Sequence, residues 1–197
     1  MTIKNVRLCP PSSLSLAFAA AFGLVAGTTS QAAIPVCHAP FAKLLSVDVF
    51  QEHAVSLTQE SARPAPPNVK SGRAYLYRTV IKQGAKLGPN FADHYTIIRI
   101  GCGAATTCLA IVDTKTGNVY FPPKLNSVEA LLVDTGKINV DTLNYRRDSR
   151  ILVVVGSPNE KIGRAGISYY TWQSEKLNLI RFIPAATLCG LPVSTRF

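Results

Sequence analysis

His94 and the nearby cysteines are the residues whose types and spacing could support catalysis. Cys102 follows His94 by an even number of residues, so a strand would place both side chains on one face and allow a Cys–His nucleophile. That chemistry requires a free thiol, and Cys108 is close enough in sequence to form a disulfide with Cys102 instead. Asp93 precedes His94 directly, and strand neighbours point to opposite faces, so the sequence predicts no Asp–His dyad here.

The same cluster gives no convincing cofactor site. His94, Cys102 and Cys108 would lack a fourth zinc ligand at the usual spacing, so no metal is expected. The Gly101-Cys-Gly103 segment lacks the third glycine and the following helix of a dinucleotide-binding loop, and the sequence contains no P-loop or serine-hydrolase motif. We therefore expect no cofactor. Asn90 and His94 are interpreted as polar residues that hold a turn through hydrogen bonds to the loop backbone, or as residues at the rim of a binding pocket.

Basic side chains form the second group of candidates. Arg146, Arg147 and Arg150 lie close together in the sequence, and the chain has 21 Lys and Arg against 11 Asp and Glu, a formal charge of +10. Such residues can contact phosphates, but no aromatic-interleaved nucleic-acid motif accompanies them, so nucleic acid is not an expected partner. Trp172 lies on an aromatic strand and completes the set of candidate binding residues.

The N-terminal segment has the order of a secretory signal peptide. Lys4 and Arg7 precede an apolar run at residues 14–26, which small residues follow up to Ala33. The run is shorter than the ~20 residues that span a bilayer as a helix. We predict cleavage of residues 1–33, a single β-rich domain over residues 34–197 without a transmembrane segment, and a periplasmic or secreted location. The charge would then be +8, because Lys4 and Arg7 are the only charged residues removed.

Four cysteines would remain after cleavage: Cys37, Cys102, Cys108 and Cys189. An even number in an oxidising compartment predicts two disulfides, with three possible connectivities. A short loop of small residues separates Cys102 from Cys108, and chain termini often lie close together. We therefore predict the pairs Cys102–Cys108 and Cys37–Cys189.

Apolar patterning predicts an α+β fold, mainly an antiparallel β-sheet meander with one packed helix and disulfide staples. The helix is expected at residues 72–83, with a second short helix at 127–133, whereas residues 40–53 fit a helix or an extended segment equally well. Strands are predicted at residues 94–100, 108–113, 118–121, 151–155, 167–172 and 177–182.

Three stretches resemble an uncharacterised family of small exported bacterial proteins. They are GPNFADHY at residues 88–95, the cysteine loop GCGAATTC at 101–108, and LAIVDTKTGNVY at 109–120. The resemblance implies export, a local disulfide and a β-rich fold, and it implies no activity. Asp93 stands where the family usually has glycine, and the cysteine loop is longer than usual.

These features favour an exported, non-enzymatic binding module, of inhibitor or immunity type, that acts on a protein or an anionic envelope component. One alternative is a periplasmic hydrolase or redox enzyme that uses His94 with a cysteine. Another is an electrostatic binder of anionic envelope polymer.

Overall fold

The computed structural model describes residues 44–58, 64–131, 140–161 and 163–189, all within the unit Ala33–Phe197. Its main element is an antiparallel sheet of eight strands, in the order β1-β2-β4-β6-β7-β8, with β3 paired to β2 and β5 paired to β6. The strands are β1 Tyr95–Gly103, β2 Thr106–Asp113, β3 Val119–Tyr120, β4 Ser127–Ala130, β5 Leu143–Tyr145, β6 Ile151–Pro158, β7 Gly166–Gln173 and β8 Lys176–Pro184. The predicted antiparallel β-rich fold is therefore confirmed.

Four short helices are described: α1 Val47–Gln51, α2 Gly72–Leu76, α3 Arg78–Ala85 and α4 Ala185–Cys189. The single helix predicted at residues 72–83 is interrupted at Tyr77, which has φ −99° and ψ 19° and separates α2 from α3. Within the described residues, no helix has the length and apolar character needed to cross a membrane.

The short helix predicted at residues 127–133 is wrong, because residues 127–130 form strand β4. Two neighbouring strands hold this segment, since Val128 pairs with Thr107 of β2 and with Pro158 of β6. Pairing on both sides outweighs the helix propensity of the Glu129-Ala-Leu sequence.

One hydrophobic cluster lies on a single face of the whole sheet. Ile97 and Leu109 from β1 and β2 meet Leu152 and Trp172 from β6 and β7 in this cluster. Because β4 lies between these two pairs of strands in the sheet, the sheet must curve around the cluster. The curvature brings the end of β7 close to the beginning of β1, where the candidate site lies.

The outer faces of the two halves are covered separately. Ile81 and Ala85 of α3 are buried against Ile98 and its neighbours on β1 and β2. Phe50 of α1 packs on the outer face of β6 and β7. β1, which follows His94, and β7, which carries Trp172, are therefore packed on both faces of the sheet.

Candidate functional site

A tight turn leads into β1 and positions Asp93. Ala92 and Asp93 have φ values of 42° and 72°, in the left-handed region that favours glycine. Their backbone N–H groups donate to the carbonyls of Ser149 (3.1 Å) and Arg147 (2.7 Å). These bonds tie the turn to the segment before β6.

The carboxylate of Asp93 is buried and accepts several hydrogen bonds. The backbone N–H and the hydroxyl of Thr58 donate to it at 2.7 Å and 2.9 Å, and Lys115 Nζ lies 3.3 Å away. Burial by itself would raise the pKa of Asp93, but the hydrogen bonds from Thr58, His94 and Lys115 lower the pKa below its ordinary value. Asp93 therefore stays ionised in the folded protein near neutral pH.

His94 lies between two carboxylates. Its Nδ1 is 3.1 Å from Asp93 Oδ2, and its Nε2 is 3.8 Å from Asp113 Oδ1. The ring also packs against Tyr95, with ring centroids 4.3 Å apart. The expectation that Asp93 and His94 cannot pair is wrong, because the two residues lie in the turn before β1 and do not alternate as strand neighbours.

A pocket of about 460 Å³ opens beside this turn and is lined by three of the predicted binding residues. His94, Arg150 and Trp172 all line it, together with Tyr95 and Glu175. The pocket combines an aromatic wall with charged groups, a composition typical of ligand-binding clefts.

Trp172 forms the inner wall of the pocket and is only 3% exposed. Its ring contacts Tyr95 and Tyr120, with centroids 5.3 Å and 5.7 Å away, both in edge geometry. The buried indole N–H has no hydrogen-bond partner among the described residues. Burial raises the pKa of the nearby Tyr95 phenol, and the Trp172 N–H, which lies close to the phenol without hydrogen-bond geometry, opposes part of that rise.

Arg150 and Glu175 supply the exposed charges of the pocket. Glu175 accepts a hydrogen bond of 2.6 Å from the Tyr120 hydroxyl. The Arg150 guanidinium, in contrast, has no hydrogen-bond or ion-pair partner among the described residues, although its backbone N–H donates to the His53 carbonyl. An anionic group entering the pocket would therefore meet a cation that no described residue neutralises.

The other predicted residues lie outside the pocket lining. The Asn90 side chain accepts a hydrogen bond from Ile97 N at 2.8 Å and donates to Ile97 O at 3.2 Å, so it joins the turn to β1. Arg147 Nε donates to the Asp93 carbonyl at 3.1 Å, and Arg146 pairs with Asp148 on the surface. Asn90 and Arg147 hold the turn, and the guanidinium of Arg146 is engaged by Asp148.

The cysteine loop lies at the other end of β1, where β1 and β2 meet. Cys102 and Cys108 are joined in a disulfide with a Cα–Cα distance of 5.8 Å, which confirms this pair. Residues 101–105 at the tip are exposed. Cys37 and the side chain of Cys189 lie outside the described residues, so the pair Cys37–Cys189 stays a prediction.

Thr58, Lys115 and Glu175 also belong to this region, although the sequence reasoning did not select them. Thr58 and Lys115 reach Asp93 from distant parts of the chain, and no spacing pattern in the sequence indicates such a contact. Glu175 had a local signal, because it lies in the predicted turn between the last two strands. Among the described residues, no group of three or more His, Cys, Asp or Glu side chains is placed to hold a metal ion.

Comparison with protein-family models, with curated proteins and with solved structures finds no match to this chain.

Proposed function

We propose that the protein is an exported, non-enzymatic binding module, and that the pocket of His94, Arg150 and Trp172 receives an anionic group of its partner. The partner is a protein or an anionic envelope component. The signal-like order of residues 1–33 supports export, and the Cys102–Cys108 disulfide is compatible with an oxidising compartment.

The observation that carries this proposal is the guanidinium of Arg150, which has no ion-pair or hydrogen-bond partner in the part of the chain that the structure describes. Asp93 is already saturated by Thr58, His94 and Lys115, and Glu175 is engaged by Tyr120. An incoming carboxylate or phosphate can form charge-assisted hydrogen bonds with Arg150 without breaking an existing pair. The aromatic wall beside it supplies apolar contact for the part of the ligand to which the anionic group is attached.

The test is a pull-down from envelope extract with oxidised bait at low salt, comparing wild type with Arg150→Gln. The matched control is Lys86→Gln, which removes the same charge from an exposed residue at the end of α3. We expect the control to retain the same partner as wild type and Arg150→Gln to lose it. Equal retention by Arg150→Gln would contradict the pocket as the binding site.

The exposed disulfide tip favours an inhibitor or immunity-type form of the same function. Residues 101–105 project beyond the buried parts of β1 and β2, and the disulfide closes their base. A loop that is already closed loses less conformational entropy when it enters a partner's cleft. Ala104→Arg should then abolish capture of a protein partner, whereas unchanged capture would contradict insertion of the tip.

The alternative of a hydrolase or redox enzyme that pairs His94 with a cysteine has less support. Cys102 and Cys108 are bonded to each other, so neither offers a thiol in this form of the protein. A free thiol on the oxidised protein would favour this alternative over the binding module.

A further inference from the structure

A second cavity, of about 310 Å³, lies along β7 nearer its Gly166 end than the His94 pocket. Three basic side chains line it, those of Lys124, Lys161 and Arg164. Ser168 and Tyr170 contribute two hydroxyl-bearing side chains, and no acidic residue belongs to the lining.

The fold brings these cations together from two separate loops. Asn159 Nδ2 donates to the carbonyl of Lys124 at 3.1 Å, and Asn159 Oδ1 accepts from Asn126 N at 2.7 Å. These bonds fix the Lys124 loop against the connection between β6 and β7. Within that connection, Arg164 N donates to the Lys161 carbonyl at 3.0 Å, and both residues line the cavity.

No acidic side chain among the described residues neutralises the positive charges of this cavity. Within the described part of the chain, Lys124 Nζ and Lys161 Nζ have no ion-pair or hydrogen-bond partner. The Arg164 guanidinium lies 5.4 Å from the centre of the Phe182 ring and forms no ion pair there. Glu160, the acidic residue nearest in sequence, accepts a hydrogen bond from Ser127 at 3.2 Å and does not line the cavity. Three cations that face one cavity repel each other, and a bound dianion would relieve that repulsion.

An apolar cavity of about 370 Å³ adjoins the cationic one. The two share Pro123 and Lys124, and the apolar cavity is also lined by Val119, Phe121 and Leu177. A molecule that fills both would therefore place an anionic group among the basic side chains and a hydrocarbon portion against the apolar ones.

We propose that these adjoining cavities bind a phosphate monoester that carries a hydrocarbon chain. Phosphate suits the cationic cavity because lysine and arginine both recognise its oxygens, and the two hydroxyls can donate to it as well. The hydrocarbon chain accounts for the apolar neighbour. This site uses none of the residues of the His94 pocket except Glu175, which lines both the His94 pocket and the apolar cavity.

The test is isothermal titration calorimetry of the oxidised protein with octyl phosphate, inorganic phosphate and octyl glucoside. Burial of two methylene groups strengthens binding about tenfold. We expect octyl phosphate to bind at least tenfold more tightly than either of the other ligands. Equal affinity for inorganic phosphate would overturn the role of the apolar cavity, and equal affinity for octyl glucoside would overturn the role of the phosphate.

Variants then locate the site. The double variant Lys161→Gln/Arg164→Gln should weaken octyl phosphate binding at least tenfold, whereas Lys82→Gln/Lys86→Gln, with the same change in charge on and beside α3, should not.

Val119→Thr, which preserves side-chain volume, should weaken binding of octyl phosphate and leave binding of inorganic phosphate unchanged. Unaltered affinity in the Lys161 and Arg164 variant would overturn the proposal. Arg150→Gln should bind octyl phosphate like wild type, so a failure of the His94 pocket can be distinguished from a failure of this site.

Discussion

Asp93 occupies a backbone conformation that usually favours glycine, and its hydrogen bonds explain how an aspartate is accommodated there. A non-glycine residue at φ 72° carries a steric cost of roughly 1–2 kcal/mol. The carboxylate offsets that cost by accepting from Thr58, His94 and Lys115. Glycine would adopt this left-handed φ without that steric cost, whereas the aspartate adds a fixed negative charge beside His94.

Asp93→Asn should destabilise the protein by about 2–3 kcal/mol at pH 7, because hydrogen bonds to a buried charge are lost while the left-handed conformation is tolerated by asparagine. The pKa of Asp93 is lowered in the folded state, so its stabilisation is complete above the unfolded pKa and is lost as the pH falls below it. The difference between wild type and variant should therefore shrink between pH 5 and pH 2. Urea denaturation across this range measures it.

Asp141→Asn is the control for the effect of Asp93. Asp141 forms an exposed ion pair of 3.2 Å with Arg99, which should contribute about 0–1 kcal/mol. If Asp93→Asn costs no more than Asp141→Asn at pH 7, the hydrogen-bonded carboxylate does not have the role assigned to it.

Among the elements, the longer strands and the short β3 were predictable, whereas β4 and β5 were not. β1, β2, β6, β7 and β8 overlap predicted strands because period-two patterning or a short apolar, β-branched run indicates each of them, and β3 lies within the strand predicted at residues 118–121. β4 was predicted as a helix, and β5 has three residues, too few to show a period. Both depend on distant partners: β4 on β2 and β6, and β5 on β6.

Residues of the candidate site were predictable only where the chemistry of a single side chain indicated binding. His94, Arg150 and Trp172 were selected for their side-chain chemistry, and the curvature of the sheet brings them into one pocket. The contact between Asp93 and His94 was missed because the sequence reasoning began the strand at His94, one residue before β1 begins. The position of a turn within one residue decides such a contact, and apolar patterning does not fix strand ends to that accuracy.

Gly156 marks a close approach between β4 and β6. A Cβ atom at this position would lie 2.2 Å from the Glu129 carbonyl oxygen, with φ at 151°. We expect Gly156→Ala to lower the free energy of unfolding by roughly 3 kcal/mol, because β4 and β6 must move apart. Chemical denaturation measures this loss. Gly101→Ala is the matched control, since a Cβ there meets no atom within 4 Å, and it should change stability by less than about 0.5 kcal/mol.

The disulfide closes the tip of the β1–β2 hairpin. The double variant Cys102→Ala/Cys108→Ala should lower the free energy of unfolding by about 2 kcal/mol, because the unfolded chain gains the entropy of an open loop. Thermal unfolding with and without reducing agent provides the comparison. If reduction destabilises wild type and this variant equally, the Cys102–Cys108 bond is not the source of the effect.

For the whole molecule, the proposed compartment predicts the redox state of every cysteine. Cys37 and Cys189 should pair as Cys102 and Cys108 do, so the exported protein should contain no free thiol once Cys9 has been removed. Thiol titration of the unreduced, denatured protein tests this expectation. Any reactive cysteine would contradict the second disulfide and strengthen the alternative of a cysteine-dependent enzyme.

The net charge of +10, or +8 once residues 1–33 are removed, makes non-specific attraction the main competitor to binding in the His94 pocket. The most direct test is to wash the captured envelope partner from wild-type bait with increasing salt. Salt screens the attraction between exposed charges, and at 1 M the screening length is ~3 Å. Our account predicts that a discrete partner survives the high-salt wash on wild type and on Lys86→Gln, and is absent from Arg150→Gln at every salt concentration. Release of all bound material from wild type at high salt would contradict the account and favour an electrostatic binder of anionic envelope polymer.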